Sequence, residues 1–274
     1  MKSFRNKAAL SILIKNHKNK KTVYKLAKND FRTKYAGSYL GIVWAFVQPI
    51  TTILLYWFVF QIGFRTPSVN DYPFVLWLTA GLVPWFFFSD AWNGGTNSLL
   101  EYVFLVKKVV FDIEILPCIK VISAFFVNVF FTVFMMVLFA ANGYMPTIHV
   151  LQLIYCIVCT FALVLSLSYF TSAVVVFVRD LGHFLNVLLQ VLMWLTPIMW
   201  NISMIENDYP WLAVLMRFNP VFYIVQGYRD AMFSGKWFWQ YPLWTFYFWG
   251  LTLILYLFGT FVFDKLRPHF ADVL

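Results

Sequence analysis

The sequence predicts an all-α membrane protein with six transmembrane helices, an N-terminal amphipathic interface helix and re-entrant outer helices between spans 5 and 6. Charged residues make up only 12% of its 274 residues, and apolar residues reach 61%. Lys, Arg, Asp and Glu are absent from residues 35–64, 121–178, 181–205 and 237–263. A helix needs about 20 mostly apolar residues to cross the roughly 30 Å hydrocarbon layer of a bilayer. The uncharged stretches therefore predict repeated crossings.

The span boundaries follow from the limits of these stretches and from one turn signal. Asn142–Pro146 divides the longest uncharged stretch, because Asn, Gly and Pro in succession favour a turn. The predicted spans cover residues 41–63, 72–100, 121–141, 149–178, 181–200 and 237–263. Pro49, Pro84 and Pro197 are expected to kink their helices.

The distribution of basic residues predicts the orientation. If both termini are cytoplasmic, the inner segments carry 17 Lys and Arg residues and the outer segments carry 4. This asymmetry follows the positive-inside rule. The chain is thus expected to form one transmembrane domain over 1–274, with an interface region 1–40, a bundle 41–263 and a cytoplasmic tail 264–274.

Residues 22–35 are predicted to form an amphipathic helix in the cytoplasmic interface, ahead of the first span. Its apolar positions recur at near-helical spacing, and they are Val23, Leu26, Ala27, Phe31 and Tyr35. Lys25 and Arg32 fall largely on the other face, a pattern typical of helices that lie on a membrane. Gly37 and Gly41 follow as a G-x-x-x-G pair, for which close helix packing is favoured over a ligand contact.

The outer segment 201–236 is too polar to cross the membrane but contains many apolar residues. Asn219–Pro220 interrupts it midway. Two short helices that dip into the outer leaflet and return explain this pattern, because irregular backbone at membrane depth is tolerated when it packs against protein. A plain extracellular loop is the alternative.

Several function classes lack the residues that they need. The sequence has no G-x-x-x-x-G-K-[ST] phosphate-binding loop and no H-E-x-x-H motif. Asp90 is the only acid well inside a predicted span, which disfavours a proton relay. The C-x-x-C of Cys156 and Cys159 is interpreted as a pair of packing thiols. The net charge of +9 arises mainly from residues 1–40, which hold 11 of 21 basic residues, so anionic lipid is the expected partner and nucleic acid is not.

Aromatic side chains are unusually frequent, with Phe, Trp and Tyr at 22% of the chain. Interfacial belts account for many Trp and Tyr residues of membrane proteins. The clusters 56–58 and 85–88 are denser than such belts require. Rings that face a channel present flat apolar surfaces to sugar rings. Both interpretations, belt or packing and sugar contact, stay open from composition alone.

A series of sequence motifs runs along nearly the whole chain. The motifs are DFRTKYAGSYLG at 30–41 with Trp44 and Gln48–Pro49 after it, LVKKVVF at 105–111, EILP at 114–117, VRDLG at 178–182, LTPI at 195–198, NP at 219–220, GYR at 227–229 and Phe270-Ala271-Asp272. In their order and spacing they resemble the motifs of the membrane (permease) subunits of bacterial polysaccharide ATP-binding-cassette exporters of the O-antigen and wall teichoic acid type. Asp112 departs from the pattern, since members often have Pro there.

The resemblance implies that the inner segment 101–120 docks onto a separate ATPase. Its apolar side chains suit a helix that binds in a groove, which a solvated loop would not need. The expected coupling residues are Lys107, Lys108, Phe111, Asp112, Glu114 and Pro117. The expected residues of the interface helix and of the start of span 1 are Phe31, Arg32, Tyr35, Gly37 and Gly41.

A substrate channel or gate is expected to include Tyr56, Trp57, Trp85, Phe86, Asp90, Arg217 and Arg229. The two arginines suit bidentate bonds to pyrophosphate or anionic sugars, and they suit lipid headgroups equally well. Asp90 suits either a hydrogen bond within the bundle or a water-filled path.

The resemblance implies a subunit of the bacterial cytoplasmic membrane, with two copies forming the channel and two copies of an ABC ATPase bound inside. ATP and Mg²⁺ would bind to that ATPase, and this chain would bind no cofactor and perform no catalysis. The expected cargo is an undecaprenyl-diphosphate-linked polysaccharide of the O-antigen or teichoic acid class. Two alternatives remain: export of a small hydrophobic molecule or drug, and a membrane glycosyltransferase.

Overall fold

A computed structural model of the chain describes residues 2–68, 72–107 and 111–274. The secondary structure of this part is helical. The α-helices are α1 (Lys2–Lys18), α2 (Lys20–Thr33), α3 (Trp44–Trp57), α4 (Phe74–Glu101), α5 (Val103–Val106), α6 (Leu116–Ala141), α7 (Gln152–Val175), α8 (Asp180–Leu195), α9 (Ser203–Glu206), α10 (Pro210–Arg217), α11 (Pro220–Arg229), α12 (Pro242–Leu266) and α13 (Phe270–Val273). The predicted all-α class is thereby confirmed.

Within the described residues, five helical stretches are long and apolar enough to cross a membrane. They are Gly41–Gly63, Phe74–Glu101, Ile113–Ala141, Ile148–Val175 and Pro242–Val273. The fifth predicted span, 181–200, corresponds to α8, which has 16 residues and would measure about 24 Å at 1.5 Å per residue. The six-span prediction is compatible with this set.

The prediction that Pro197 kinks a longer fifth span was wrong. Helix α8 ends at Leu195, and Thr196 has extended backbone angles of φ −77° and ψ 129°. A residue that precedes proline is disfavoured in the helical region, because its backbone clashes with the proline ring. The chain therefore leaves the helix before Pro197, and residues 196–199 are buried against the bundle.

Helix α4 is the centre of the bundle and contacts α3, α6, α7, α8 and α11. The chain forms two ends on either side of it. The end that contains α1, α2, residues 102–107 and 111–115, and α13 is called the terminal end, and the end that contains α9–α11 and residues 230–241 is called the opposite end. Each end has its own cluster of charged or polar side chains.

The terminal end differs in two respects from the sequence prediction. Helix α2 matches the predicted interface helix, but α1 precedes it, contacts α12 and was not predicted. Among the side chains of α1 that the structure describes, those of residues 9–18, Ala9 and Ile12 are buried. In addition, helical structure ahead of the third span starts at Ile113, eight residues before the predicted boundary at 121, so the inner segment is shorter than expected.

The region between α8 and α12 contains short helices, as predicted. Asn219 stands at the break between α10 and α11, where its side-chain oxygen accepts a bond from the amide of Val221 at 3.0 Å. Such a cap satisfies one of the free amides at the start of a helix. Helix α11 then packs against α4 and α7, and Val225 and Tyr228 are fully buried. The packing of α11 within the bundle is that of a re-entrant helix and differs from a plain loop.

Candidate functional site

A buried carboxylate joins three distant parts of the chain at the terminal end. Glu114 is 3% exposed, and its Oε1 lies 2.6 Å from Nζ of Lys15 on α1. Arg267, which follows α12, contacts the same oxygen. The hydroxyl of Tyr169 on α7 donates to the backbone carbonyl of Glu114 at 3.1 Å. A rotation of this segment would thus act on α1, α7 and the C-terminal region together.

The predicted coupling residues divide into exposed and internal ones. Lys107 is exposed, and Phe111 and Asp112 are half-buried. Asp112 accepts a bond from Nδ2 of Asn19 at 2.9 Å. Pro117 is buried at the start of α6, as Glu114 is just before it, so neither side chain offers a surface to another protein. Lys108 lies outside the described residues.

A second ion pair in this region was missed by the sequence interpretation. Lys120 Nζ lies 2.5 Å from Oδ1 of Asp30, and both residues are buried. Tyr102 donates to the same oxygen at 2.8 Å, and Glu101 also contacts Lys120. The sequence held a signal, because Asp30 falls seven residues after Val23 and therefore on the buried face of α2.

The predicted residues at the start of span 1 lie in the last turn of α2 and in the segment that connects α2 to α3. Phe31 packs on Tyr35 and Phe126 at centroid distances of 6.2 and 5.9 Å, and Arg32 is exposed. Close packing at Gly37 and Gly41 was the wrong expectation, since a Cβ at either position would meet no described atom within 4 Å. Both have positive φ, +89° and +52°, which glycine adopts without steric cost.

Asp90 faces a cavity of about 300 Å³ between α3, α4, α6 and α8. Its Oδ1 lies 2.6 Å from Nζ of Lys34, and both side chains are about 40% exposed. Burial alone would lower the pKa of Lys34, but the Asp90 carboxylate outweighs it and raises that pKa above its usual value of 10.5. Phe86 and Tyr35 also line the cavity, and the buried amide of Asn128 has no hydrogen-bond partner among the described residues.

The other predicted channel aromatics lie in different surroundings. Trp85 is buried at 4% exposure and packs on Phe88 at 5.7 Å. Tyr56 and Trp57 are half-buried on α3. Trp85 therefore belongs to the core of this chain, whereas Tyr56 and Trp57 retain accessible surface.

Arg229 at the opposite end makes its contacts with other residues of this chain. Its guanidinium donates to the carbonyls of Pro197 and Ile198, each at 2.7 Å, and lies 3.5 Å above the ring of Trp77. These carbonyls belong to the chain that leaves α8, so Arg229 satisfies backbone groups at the end of that short helix. Gly81 gives it room, since a Cβ there would lie 2.9 Å from Nη2 of Arg229.

Arg217 is also paired, but nearer to the surface. Its Nη2 lies 2.5 Å from Oε1 of Glu206 on α9, and their side chains are 36% and 45% exposed. The two predicted anion-binding arginines therefore have different surroundings: Arg229 is buried within the bundle, and Arg217 ties α10 to α9.

Comparison with known proteins identifies the family. The family model described as "ABC-2 type transporter" matches residues 22–233. The chain belongs to the ABC-2 type transporter family. This ABC-2 match begins within α2 and ends just after α11, so it includes every predicted coupling and channel residue.

Several curated ABC-2 relatives are similar over nearly their whole length. The O-antigen export system permease protein RfbA of Myxococcus xanthus is 26% identical over 247 residues, covering 90% of this chain and 93% of the relative. A protein of the same name from Klebsiella pneumoniae is 26% identical over 261 residues, covering 91% and 93%. The polysialic acid transport protein KpsM of Escherichia coli is 26% identical over 222 residues, covering 79% and 83%.

Lys15, Glu114 and Arg267 together form what we call the Glu114 cluster, which extends beyond the residues that the ABC-2 family model matches. Glu114 lies inside the matched residues, whereas its two cationic partners, Lys15 and Arg267, lie before and after them. Helix α1 and the C-terminal segment are thus tied to the family's matched region through one carboxylate.

Proposed function

We propose that this chain is the permease subunit of an ATP-driven exporter of a cell-surface polysaccharide. The cargo is of the O-antigen or teichoic acid class and is carried on undecaprenyl diphosphate. ATP and Mg²⁺ bind to a separate ATPase, and this chain provides the path and transmits the force. The main support is the family match over 22–233, together with relatives named for O-antigen export that align over about nine-tenths of both chains.

Two helices support a second copy of the chain in the working transporter. Along α8 only Leu185 and Leu189 are buried, while Phe184, Val187 and Trp194 are exposed. Along α3 only Ala45 and Ile53 are buried, and most of the other side chains are half-buried. We propose that α3 and α8 meet the second copy, and that the polar cavity beside Asp90 then opens onto the path between the copies.

The ATPase would dock at the terminal end, which we expect to be cytoplasmic. Helix α5 offers Phe104, which is 60% exposed, next to the exposed cation Lys107. An apolar anchor flanked by charge suits insertion of a short helix into a groove of a partner. The Glu114 cluster lies behind this surface and connects it to α1, α7 and Arg267.

The first test is affinity purification of tagged chain from mild-detergent membranes. We expect an ATPase with a phosphate-binding loop to be recovered in equal amount. Its absence across several detergents would contradict the proposal and favour the membrane glycosyltransferase alternative. Recovery of the ATPase with a cargo that is compact and independent of glycan assembly would favour the drug-exporter alternative.

Paired variants separate docking from internal packing. Phe104→Ala with Lys107→Ala should reduce the recovered ATPase about tenfold while the amount of permease stays constant, because both side chains are at the surface. Phe246→Ala, 78% exposed on α12, is the matched control and should change neither amount. Glu114→Ala should instead lower the amount of permease, because it leaves Arg267 without its carboxylate and Lys15 with only Asp112, 3.5 Å away. Unchanged ATPase recovery with the double variant would contradict docking at α5.

A further inference from the structure

A cavity of about 460 Å³ lies at the opposite end, bounded by α7, α9, α11 and the start of α12. This volume falls in the range of about 300–1,000 Å³ that is usual for small-molecule sites. Eight of its twenty lining residues are aromatic, nine are polar, and Ile202 is the single branched aliphatic residue. A pocket for a lipid chain would have mainly aliphatic walls. The lining suits a polar ligand with flat faces.

The aromatic walls are held in place without a ligand. The ring of Tyr223 stacks on Phe248 at a centroid distance of 4.8 Å, and Tyr155 stacks on Phe238 at 3.8 Å. The hydroxyls of Tyr155 and Tyr223 lie 3.0 Å apart. Trp249 Nε1 donates to the hydroxyl of Tyr155 at 3.0 Å. Because these rings are fixed in advance, binding a ligand costs little side-chain entropy.

Hydrogen-bonding groups accompany the rings. Asp230 is 5% exposed, and its Oδ1 accepts a bond from Nε2 of Gln226 at 2.9 Å. Both residues line the cavity, as does Gln152. Carboxylates accept hydrogen bonds, while side-chain amides both donate and accept. Such groups beside aromatic faces match a ring that has apolar faces and hydroxyls at its edge.

The charges of the lining exclude an anionic ligand as the natural occupant. Arg229 donates to the carbonyls of Pro197 and Ile198, and Arg217 pairs with Glu206. A phosphate or an acidic sugar would have to compete for a cation that is already bound. Asp230 adds a carboxylate that would repel an anion. An uncharged ligand meets neither of these two obstacles.

We propose that this cavity binds a neutral saccharide through stacking on Tyr223 and hydrogen bonds to Asp230 and Gln226. This inference rests on the proposed function where it assigns the saccharide to the exported chain, which would contact the re-entrant helices as it leaves. The binding itself requires neither the ATPase nor a lipid carrier. A failure of one proposal is therefore distinguishable from a failure of the other.

The test measures saccharide binding to full-length permease in phospholipid nanodiscs, prepared without glycosidic detergents. Maltose, lactose and cellobiose serve as neutral probes, and pyrophosphate as the anionic probe, each followed by calorimetry and saturation-transfer NMR. We expect at least one disaccharide to bind and pyrophosphate not to bind. Tyr223→Ala should weaken that binding about tenfold, equal to about 1.4 kcal/mol. Asp230→Asn should weaken it by a similar factor.

Two further variants keep the result interpretable. Tyr223→Phe retains the ring face and should bind nearly as well as the wild type, which guards against misfolding of Tyr223→Ala. Trp211→Ala removes an aromatic side chain of α10 that is 67% exposed and does not line the cavity, so it should have no effect. No disaccharide binding, or equal weakening by Trp211→Ala and Tyr223→Ala, would overturn the proposal. A co-purified lipid that is lost only in Tyr223→Ala would also overturn it, in favour of a lipid site.

Discussion

The two ends of the bundle each bury a cation, but they compensate its charge in different ways. At the terminal end, Lys120 faces the carboxylate of Asp30 at 2.5 Å. At the opposite end, Arg229 faces two backbone carbonyls and the ring of Trp77. The first arrangement joins two charges from separate helices, whereas the second uses one charge to satisfy two backbone carbonyls of the chain that follows α8.

This difference has a physical basis in what each helix needs. Helix α2 carries its own buried acid, so it packs onto α6 only if a cation meets that acid. Helix α8 is shorter than the five long apolar helices, and the chain after it presents carbonyls inside the bundle. Buried backbone groups without partners are costly, and a guanidinium supplies several donors at once. Ion pairing therefore attaches a helix at one end, and donation to carbonyls stabilises a helix end at the other.

The largest expected effect follows from breaking the Asp30–Lys120 pair. Lys120→Met leaves a buried carboxylate uncompensated, and loss of one partner of a buried pair costs about 3–5 kcal/mol. We expect a strong fall in the folded fraction, measured by fluorescence-detected size exclusion and by thermal unfolding in nanodiscs. The double variant Asp30→Asn with Lys120→Met should recover much of this loss, since neither charge is then buried alone.

Glu101→Gln provides the matched control for that pair. Glu101 also contacts Lys120, but its side chain is 52% exposed. Its removal should cost less than about 1 kcal/mol, as is usual for exposed pairs. A double variant as unstable as Lys120→Met would contradict the view that the uncompensated charge causes the loss.

An intermediate effect is expected at Arg229. Arg229→Met removes the donors to Pro197 and Ile198 and should destabilise the protein by about 2–4 kcal/mol, because hydrogen bonds to charged groups are worth about 1.5–3 kcal/mol each. Gly81→Ala places a Cβ 2.9 Å from Nη2 of Arg229 and 3.1 Å from the Ile198 carbonyl. It should cost about 1–3 kcal/mol through overpacking. Thermal unfolding in nanodiscs measures the loss of stability in both variants. If Arg229→Met were as stable as the wild type, the carbonyls of Pro197 and Ile198 would need no donor.

The sequence predicted the apolar spans and the break at Asn219–Pro220 because both depend on local composition. Long uncharged stretches and an Asn-Pro pair predict the same local structure whatever the tertiary contacts around them are. The end of α8 was harder to predict, since Leu195–Ile198 is as apolar as the helix before it. Pro197 was recognised as a helix-disturbing residue. Whether a proline kinks a helix or ends it depends on whether the carbonyls around it find hydrogen-bond donors. The donor to the Pro197 carbonyl is Arg229, which lies 32 residues later in the sequence.

The side-chain pairs could be predicted only in part, for the same reason. Glu114 was selected as a residue that contacts another protein, yet its partners Lys15 and Arg267 lie 99 and 153 residues away in the sequence. Exposed and buried acids look alike in a single sequence. The helical spacing of Asp30 from Val23 and Ala27 was the one local signal of a buried charge. The cavity at the opposite end draws on α7, α9, α11 and α12, and no local pattern indicates it.

The smallest effect on stability is expected at Lys34–Asp90, an ion pair that neither end buries. Asp90→Asn should cost less than about 1 kcal/mol, since both side chains are about 40% exposed. Because the folded-state pKa of Lys34 is raised above 10.5, the pair contributes fully from neutral pH up to about 10.5 and is lost as the pH rises through the raised pKa. Thermal unfolding of wild type and Asp90→Asn should thus differ by a small constant amount at neutral pH and converge in strong alkali. A large difference in stability between wild type and Asp90→Asn at neutral pH would show that this pair is structural, like the contacts of Lys120 and Arg229. Loss of export by Asp90→Asn at unchanged stability would instead assign Asp90 to the transport path.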